Sequence, residues 1–536
     1  MRVLVTGGPA RRVLVGYQFY GLVEMAVWVA ILLWAYDEGG AELAGLVAVV
    51  QLLPAALLAP PLATLGDRIS RGTALALAQL GVALTTALTA LLLLADAHPA
   101  LVVAASTTAT IALAVVRPLH FAVLPQLARR PDDLVSANAL SSISDGVSIF
   151  VGPVLAGLGA EVAGPALVFV IATGVAVGAT ALCLRTGVAA PIGRSSTADG
   201  WWAVFRGLGP IARDRAVLML LIVLVTKSVV DGAHDVLGVS LAVDGMGLGS
   251  TEAGLVVGAL GLGGLLGGAV AATAARRPRL LGVLLASGVV QGVGIVLVAL
   301  LAALAPVLAV LTLAGLGGTV LMVTGRTLLQ RTSDPQDMAR IFAVQEGTSL
   351  LGLAGGAALA PLLIELLSPY GAFVPLGLGA AGLTAVCVLF VRDLDRRAVY
   401  PVEIIELLRS VRFLSVLPAI ELERLARTAS WVDVAAGEDV VREGEEGDSF
   451  YVVDDGTLQV SVAGAVRPEH LRRGDGFGEI ALLRSVPRTA TVTAVTDARL
   501  VAIDSADFLA AVTGSADGKV LASEVAASHL ARDSAT

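Results

Sequence analysis

The sequence predicts a multi-domain chain. An all-α membrane bundle of twelve transmembrane helices, built as two six-helix repeats, is followed by a small β-roll (jelly-roll) domain with flanking helices. Three observations predict this. The 536 residues are 56% hydrophobic and 15% charged, with mean hydropathy +0.85, whereas a soluble domain is about 25% charged. Apolar runs fill the chain to about Leu394, and charged, alternating segments replace them from about Asp395. Within the apolar part, residues recur at a constant offset of 204. The expected boundaries are 1–394 for the membrane domain (halves about 11–187 and 213–391), 395–408 for a linker and 409–532 for the roll.

The same composition excludes disordered and fibrous classes. The net charge of −8 speaks against a nucleic-acid partner, and two cysteines exclude a disulfide scaffold. The partner it implies is the lipid bilayer, because Ala, Leu, Val and Gly suit helices packed in lipid.

A spanning helix needs about 20 mostly apolar residues. Twelve such runs start near Val13, Ala41, Thr73, Pro99, Ser136, Gly164, Ala216, Thr251, Leu280, Pro306, Ala339 and Tyr370; these are spans 1 to 12. Alternate joints carry Arg68 and Arg71, Arg129 and Arg130, Arg194 to Arg215, Arg276 to Arg279, then Arg331 and Arg340. The other joints carry Asp37 and Glu38, Asp96, Glu161, Asp244 and Glu365, without Lys or Arg. The positive-inside rule then places both termini and the second domain in the cytoplasm of a multi-pass cell-membrane protein. The run from Val13 to Ala35 is too long for a signal h-region, so no cleaved leader is expected.

Pro131 and Pro335 share the offset of 204 with Gln126 and Gln330, Gly152 and Gly356, Pro165 and Pro369, and the two cysteines, Cys183 and Cys387. Two parallel six-helix halves result, with the cysteines as equivalent packing positions. Transporters built this way hold substrate between the halves near the midplane. The opening Arg2 to Gly8 mimics a nucleotide-binding glycine turn but lacks the third glycine and the βαβ context.

Ionisable residues inside apolar runs are functional candidates, because a mid-membrane charge costs several kcal/mol. Glu24 lies about 16 Å into span 1 at 1.5 Å per residue. Span 7 carries Lys227, Asp231 and Asp235, with His234 on a face towards the outer side; Lys227 and Asp231 share a helix face and can neutralise each other. Asp145 on span 5, Arg117 on span 4, and Arg326 and Glu346 near the inner ends of spans 10 and 11 complete the set, the three last as gate or interfacial charges. Glu24 suits a proton or substrate-cation role, or a structural hydrogen bond. The coupling expected is proton exchange through Glu24 and an aspartate of span 5 or span 7.

Between spans 2 and 3, Pro61 to Gly72 contains Asp67, Arg68 and Arg71 at the spacing of Gly-x-x-x-Asp-Arg-x-Gly-Arg-Arg, with Ala63, Ser70 and Gly72 departing from it. This resembles the cytoplasmic loop signature of the major facilitator superfamily. Gly152-Pro153 to Gly157 resembles the glycine-proline signature of span 5 in that family's exporters, and Leu124 to Gly157 is similar to its drug- and siderophore-exporter branches. The resemblance covers about 10–394. It implies a small-molecule carrier whose cytoplasmic gate is latched by Asp67, Arg68 and Arg71.

From about Arg409 the pattern changes. Short helices at Val402 to Val411 and Glu421 to Thr428 precede alternating runs at Trp431 to Val434, Asp439 to Val441, Ser449 to Val453, Thr457 to Val462, Ala490 to Val495 and Arg499 to Ile503. Glycines 437, 444, 447, 456 and 474 separate them, which reads as a β-roll. Gly447 to Gly456 resembles the hairpin signature of cyclic nucleotide-binding domains, with Phe450 packing the roll. Phe477-Gly478-Glu479-Ile480-Ala481-Leu482 through Arg488-Thr489-Ala490 resembles their phosphate-binding cassette at full length. Gly478 admits close backbone approach. Glu479 to Leu482 can start a short helix with its amides towards an anion. The resemblance implies that Glu479 accepts from the ribose 2′-OH, Arg488 pairs with the cyclic phosphate through a planar fork, and Ala481 and Thr489 line the pocket. The base, adenine or guanine, stays open. A last helix, about Gly518 to Ala531, presents Val520, Leu521 and Val525 as a lid. The few residues after Ala531 leave no room for a helix-turn-helix, so none is expected.

The expected function is secondary active export of an unknown small molecule, coupled to protons and regulated by cAMP or cGMP as the ligand of the C-terminal domain. Two alternatives stay open: a membrane-anchored cyclic-nucleotide receptor without transport, and a transporter whose roll is purely structural. No nucleophile–base set, metal cluster or Walker motif is present, so no enzyme activity, cofactor or metal is expected.

Overall fold

The computed structural model describes residues 8–65, 70–127, 131–184, 214–274, 280–332, 338–391, 402–417 and 419–514. It divides into two compact units, Met1–Ala398 and Val399–Thr536.

Among the described residues of the first unit, eleven helices are long and apolar enough to cross a membrane. The first, Gly8–Leu65, breaks at Gly39 and Gly40, and Gly40 takes φ 64°, a conformation that suits glycine. Its arms, 8–38 and 41–65, are spans 1 and 2. Spans 3 to 6 are Arg71–Leu94, Pro99–Leu127, Pro131–Ala163 and Pro165–Leu184. Spans 7 to 12 are Arg215–Ser240, Ser250–Ala274, Leu281–Val298, Leu304–Thr332, Met338–Gly371 and Phe373–Phe390. The described residues thus hold the expected twelve. Starts obey local rules. Ser70 Oγ accepts from the Thr73 amide at 3.2 Å, and Asp214 Oδ1 accepts from the Ala216 amide at 2.9 Å, as N-caps do. Pro99, Pro131 and Pro165 occupy first helical positions, where the missing N–H costs nothing. Span 5 begins at Pro131, earlier than its apolar run, because a helix continues into water beyond the part that hydropathy detects.

The repeat is visible in the packing. A Cβ on Gly152 would strike Met25 and Ala26, seating span 5 on span 1. A Cβ on Gly356, 204 residues on, would strike Val229 and Ala233, seating span 11 on span 7. The halves meet along two further glycine seams. Gly254 and Gly258 of span 8 lie against the carbonyls of Pro153 and Phe150 on span 5, and Gly45 of span 2 lies against Ala357 and Pro361 on span 11. Cys183 and Cys387 are both buried.

Among the described residues of the second unit, helices α1 (Val402–Ser410) and α2 (Ala419–Thr428) precede eight strands in two antiparallel sheets. Strands β1 (Ser430–Val434), β3 (Ser449–Asp455), β6 (Gly476–Phe477) and β8 (Ala498–Asp504) form one, in the order β1-β8-β3-β6. Strands β2 (Asp439–Val441), β4 (Leu458–Val462), β5 (Ala465–Leu471) and β7 (Thr491–Ala494) form the other, in the order β2-β7-β4-β5. Helix α3 (Glu479–Arg484) sits between β6 and β7, and α4 (Ser505–Gly514) comes after β8. Alternation decides the faces. Phe450, Val452, Val501 and Ile503 pack against the helices with Leu408, Phe413, Leu425 and Phe508. Val453, Leu458, Val492 and Leu500 fill the space between the sheets. Phe450 therefore packs the helical layer, between Phe413 and Phe508 at 5.6 and 4.6 Å, and it is Tyr451 that faces the roll interior.

Candidate functional site

In the roll, Phe477 ends β6 and Gly478 turns with φ 94°, leading into α3 at Glu479. Beyond α3 the chain returns so that the Arg488 amide donates to Glu445 O at 2.8 Å and the Gly444 amide donates to Arg488 O at 2.9 Å. These bonds direct the Arg488 side chain inward, where it is 4% exposed. Its Nη1 donates to Gly478 O at 3.1 Å and its Nη2 to Ser449 O at 2.8 Å. Nη2 also lies 3.5 Å from Asp448, whose own side chain is 84% exposed. Nε is buried without a partner. Tyr451 lies under the guanidinium at 5.9 Å and stacks on Phe477 at 5.3 Å.

Glu479 is 2% exposed, one residue past the turn. Burial pulls the Arg488 pKa below its ordinary value, opposed by Tyr451, Asp448 and Glu479, and burial pushes the Tyr451 hydroxyl up. A buried cation with a free N–H is an anion receptor by charge and by hydrogen bonding. The cradle tolerates no added side chain: a Cβ on Gly478 would lie 2.5 Å from Arg488 Nη1, and one on Gly447 would lie 2.8 Å from the Ala481 Cβ. These residues fit a cyclic phosphate with a neighbouring hydroxyl.

The structure thus brings Phe477, Gly478, Glu479, Ala481 and Arg488 together. Ile480 is buried, while Leu482 turns into the helical layer. Thr489 and Ala490 are half-buried on the approach to β7. Asp448, Ser449 and Tyr451 join the site without having been singled out from sequence, although the hairpin glycines 447 and 456 flank them. The lid positions Val520, Leu521 and Val525 lie outside the described residues.

In the membrane unit, Arg117 lies between two carboxylates, 3.2 Å from Glu24 and 3.1 Å from Asp145. Each acid has a phenol cap: Tyr20 donates to Glu24 at 2.7 Å and Tyr17 to Asp145 at 2.9 Å. Tyr17 also stacks on His120, which bonds Ser141 at 2.9 Å. Arg117 is therefore no isolated gate or interfacial charge; it is the counter-ion of both acids. Tyr17, Tyr20, Glu24 and Trp28 succeed one another at helical spacing, a polar stripe legible in the sequence. Lys227 pairs with Asp231, and Asp235 accepts from the Trp28 indole at 2.9 Å. Span 7 thus offers Glu24 no aspartate in this arrangement; span 5 does. His234 is buried, 1% exposed. Arg326 holds Gln345 at 3.0 Å and Glu346 at 3.3 Å, within half two. Arg71 donates to Ala122 O at 2.9 Å, within half one; Asp67 and Arg68 lie outside the described residues. Among the described residues no group of acids, histidines and cysteines could hold a metal.

The family model described as Major Facilitator Superfamily matches residues 13–301, and that described as Cyclic nucleotide-binding domain matches residues 431–514. The chain is similar to a cAMP-dependent protein kinase regulatory subunit of Debaryomyces hansenii, 39% identical over 108 residues, 20% of this chain and 23% of the relative. A subunit of the same description from Eremothecium gossypii is 36% identical over 103 residues, 19% of this chain and 22% of the relative. The chain spans about a quarter of the length of these relatives. Among solved structures, a cAMP-bound PfPKA-R is 27% identical over 25% of this chain and 45% of that chain, with a TM-score of 0.22. The regulatory subunit of a cAMP-independent protein kinase A from Trypanosoma brucei is 26% identical over 22% of this chain and 46% of that chain, with a TM-score of 0.20.

Proposed function

This chain belongs to the Major Facilitator Superfamily and carries a cyclic nucleotide-binding domain behind its membrane helices, and from that premise we propose that it is a proton-coupled exporter of a small molecule, regulated by cAMP. The observation that carries the regulatory half is Arg488. Its guanidinium is buried, positioned by two backbone carbonyls, and has an unpaired Nε beside Glu479 and a glycine turn. The cyclic phosphate takes the guanidinium and the 2′-hydroxyl takes Glu479. The relatives named as cAMP-dependent regulatory subunits favour cAMP over cGMP.

Proton coupling is supported by charge balance. Glu24, Arg117 and Asp145 together hold two carboxylates and one guanidinium. One negative charge is uncompensated inside the bilayer, and one proton neutralises it. The arginine-bearing joints support a cytoplasmic position for both termini and the roll, at the cell membrane. Nucleotide then biases the carrier by no more than its differential affinity for two carrier states, commonly about 1–3 kcal/mol.

The test uses the full chain in lipid nanodiscs, titrated calorimetrically with cAMP and cGMP, and then in proteoliposomes with a pH-sensitive dye. The proposal expects saturable cAMP binding that Arg488→Ala abolishes, and substrate-driven proton flux whose rate cAMP changes. Equal binding by wild type and Arg488→Ala, or flux indifferent to saturating cAMP, removes the regulatory reading.

A further inference from the structure

Hydrogen bonds join the two halves of the membrane unit at three places on one side. Trp28 Nε1 on span 1 donates to Asp235 on span 7 at 2.9 Å. Two turns further along both helices, Tyr36 Oη donates to Asp244, which lies in the π turn Leu241–Gly245 that ends span 7. The Thr251 amide at the start of span 8 donates to Glu161 at the end of span 5, at 3.1 Å. Span 1 starts among Arg11 and Arg12 and ends at Asp37 and Glu38. All three links therefore lie between mid-span and the acid-bearing face. The two rungs between spans 1 and 7 have one design: an aromatic N–H or O–H from half one donates to an aspartate of half two. Nothing in the offset of 204 requires this, since Ser240 stands at the position equivalent to Tyr36 and Gly232 at that of Trp28.

We propose that Trp28 and Tyr36 are the donors of a two-rung latch onto Asp235 and Asp244, braced by Glu161, which holds the halves shut on the acid-bearing face and must break before that face can open. When the face opens, water replaces the indole or phenol donor at each aspartate. Losing one such hydrogen bond shifts the closed-to-open ratio about tenfold. The latch rests on reading the membrane unit as a carrier with two access states. It does not rest on the identity of the substrate or the nucleotide.

The test measures distance across the acid-bearing face without substrate or nucleotide. Spin labels are placed at two exposed positions, one in each half, by His98→Cys and Glu365→Cys. The background carries Cys183→Ala and Cys387→Ala, and the full chain is held in nanodiscs. Wild type is expected to give one short distance. Trp28→Phe with Tyr36→Phe is expected to add a long-distance population, growing about a hundredfold relative to wild type if the rungs add. Asp244→Asn, which keeps an acceptor, should stay mostly short where Asp244→Leu opens. Gln51→Leu, which removes hydrogen bonds inside half one, controls for general loosening. An unchanged distribution in the folded double variant, verified by a monodisperse gel-filtration peak, overturns the proposal. So does equal opening by Gln51→Leu. If the distances shift as expected but no proton-driven flux is found, the export reading fails while the latch stands.

Discussion

Arg488 and Ser449 are joined across the roll by a 2.8 Å hydrogen bond from the guanidinium Nη2 to the carbonyl that opens β3. The side chain is thus fixed by backbone on one side while Nε stays free for a ligand. A lysine at this position has no second arm for Gly478 O and no Nε.

Arg488→Lys is expected to weaken cAMP binding by about 2 kcal/mol, some thirtyfold, and Arg488→Ala by more, because the charge-assisted bond from the free Nε is lost. Calorimetry on the full chain reads both. Unfolding of the roll should shift less for the lysine variant than for Arg488→Ala, because an ammonium can still reach one of the two carbonyls.

Gly478→Ala places a Cβ 2.5 Å from Arg488 Nη1 at φ 94°. The left-handed conformation alone costs about 1–2 kcal/mol for a residue with a Cβ, and the collision displaces the guanidinium. An affinity loss of tenfold or more is expected, with the far-UV circular dichroism unaltered.

Arg117→Gln leaves Glu24 and Asp145 facing each other without a counter-charge. Allowing for its partial exposure, this costs about 2 kcal/mol and lowers the thermal midpoint in detergent. Adding Glu24→Gln to Arg117→Gln should recover part of the loss, and the single variant Glu24→Gln should lose proton coupling.

Gly152→Leu and Gly356→Leu occupy equivalent positions of the repeat. Each forces a side chain into a neighbouring helix, at a cost of about 1–3 kcal/mol. Similar falls in thermal midpoint are expected for the two, whereas Gly174→Leu, which meets open space, should be neutral.

Hydropathy and loop charge made the twelve spans legible because lipid imposes one length and one composition on each of them. The offset of 204 made the two halves legible, and the cassette from Phe477 to Ala490 made most of the nucleotide site legible, since the turn and the arginine are neighbours in sequence. Strand β5 was not legible: Arg467, Pro468 and Glu469 argue against a strand. It forms at the sheet edge next to β4, where an unpaired proline costs no ladder bond. The pairs Asp145 with Arg117 and Asp235 with Trp28 were hidden too, because they arise from how spans cross. On β3 the alternation was visible but its phase was not. Which of Phe450 and Tyr451 faced the helices depended on the second layer, which the strand itself does not encode.

The glycine seams between spans 5 and 8 and between spans 2 and 11 have a mechanical consequence. Where Gly254 meets the Pro153 carbonyl and Gly45 meets the Ala357 carbonyl beside the Pro361 ring, the lobes approach one another with little side chain between them. The close approach at both seams is supplied by the same missing methyl group.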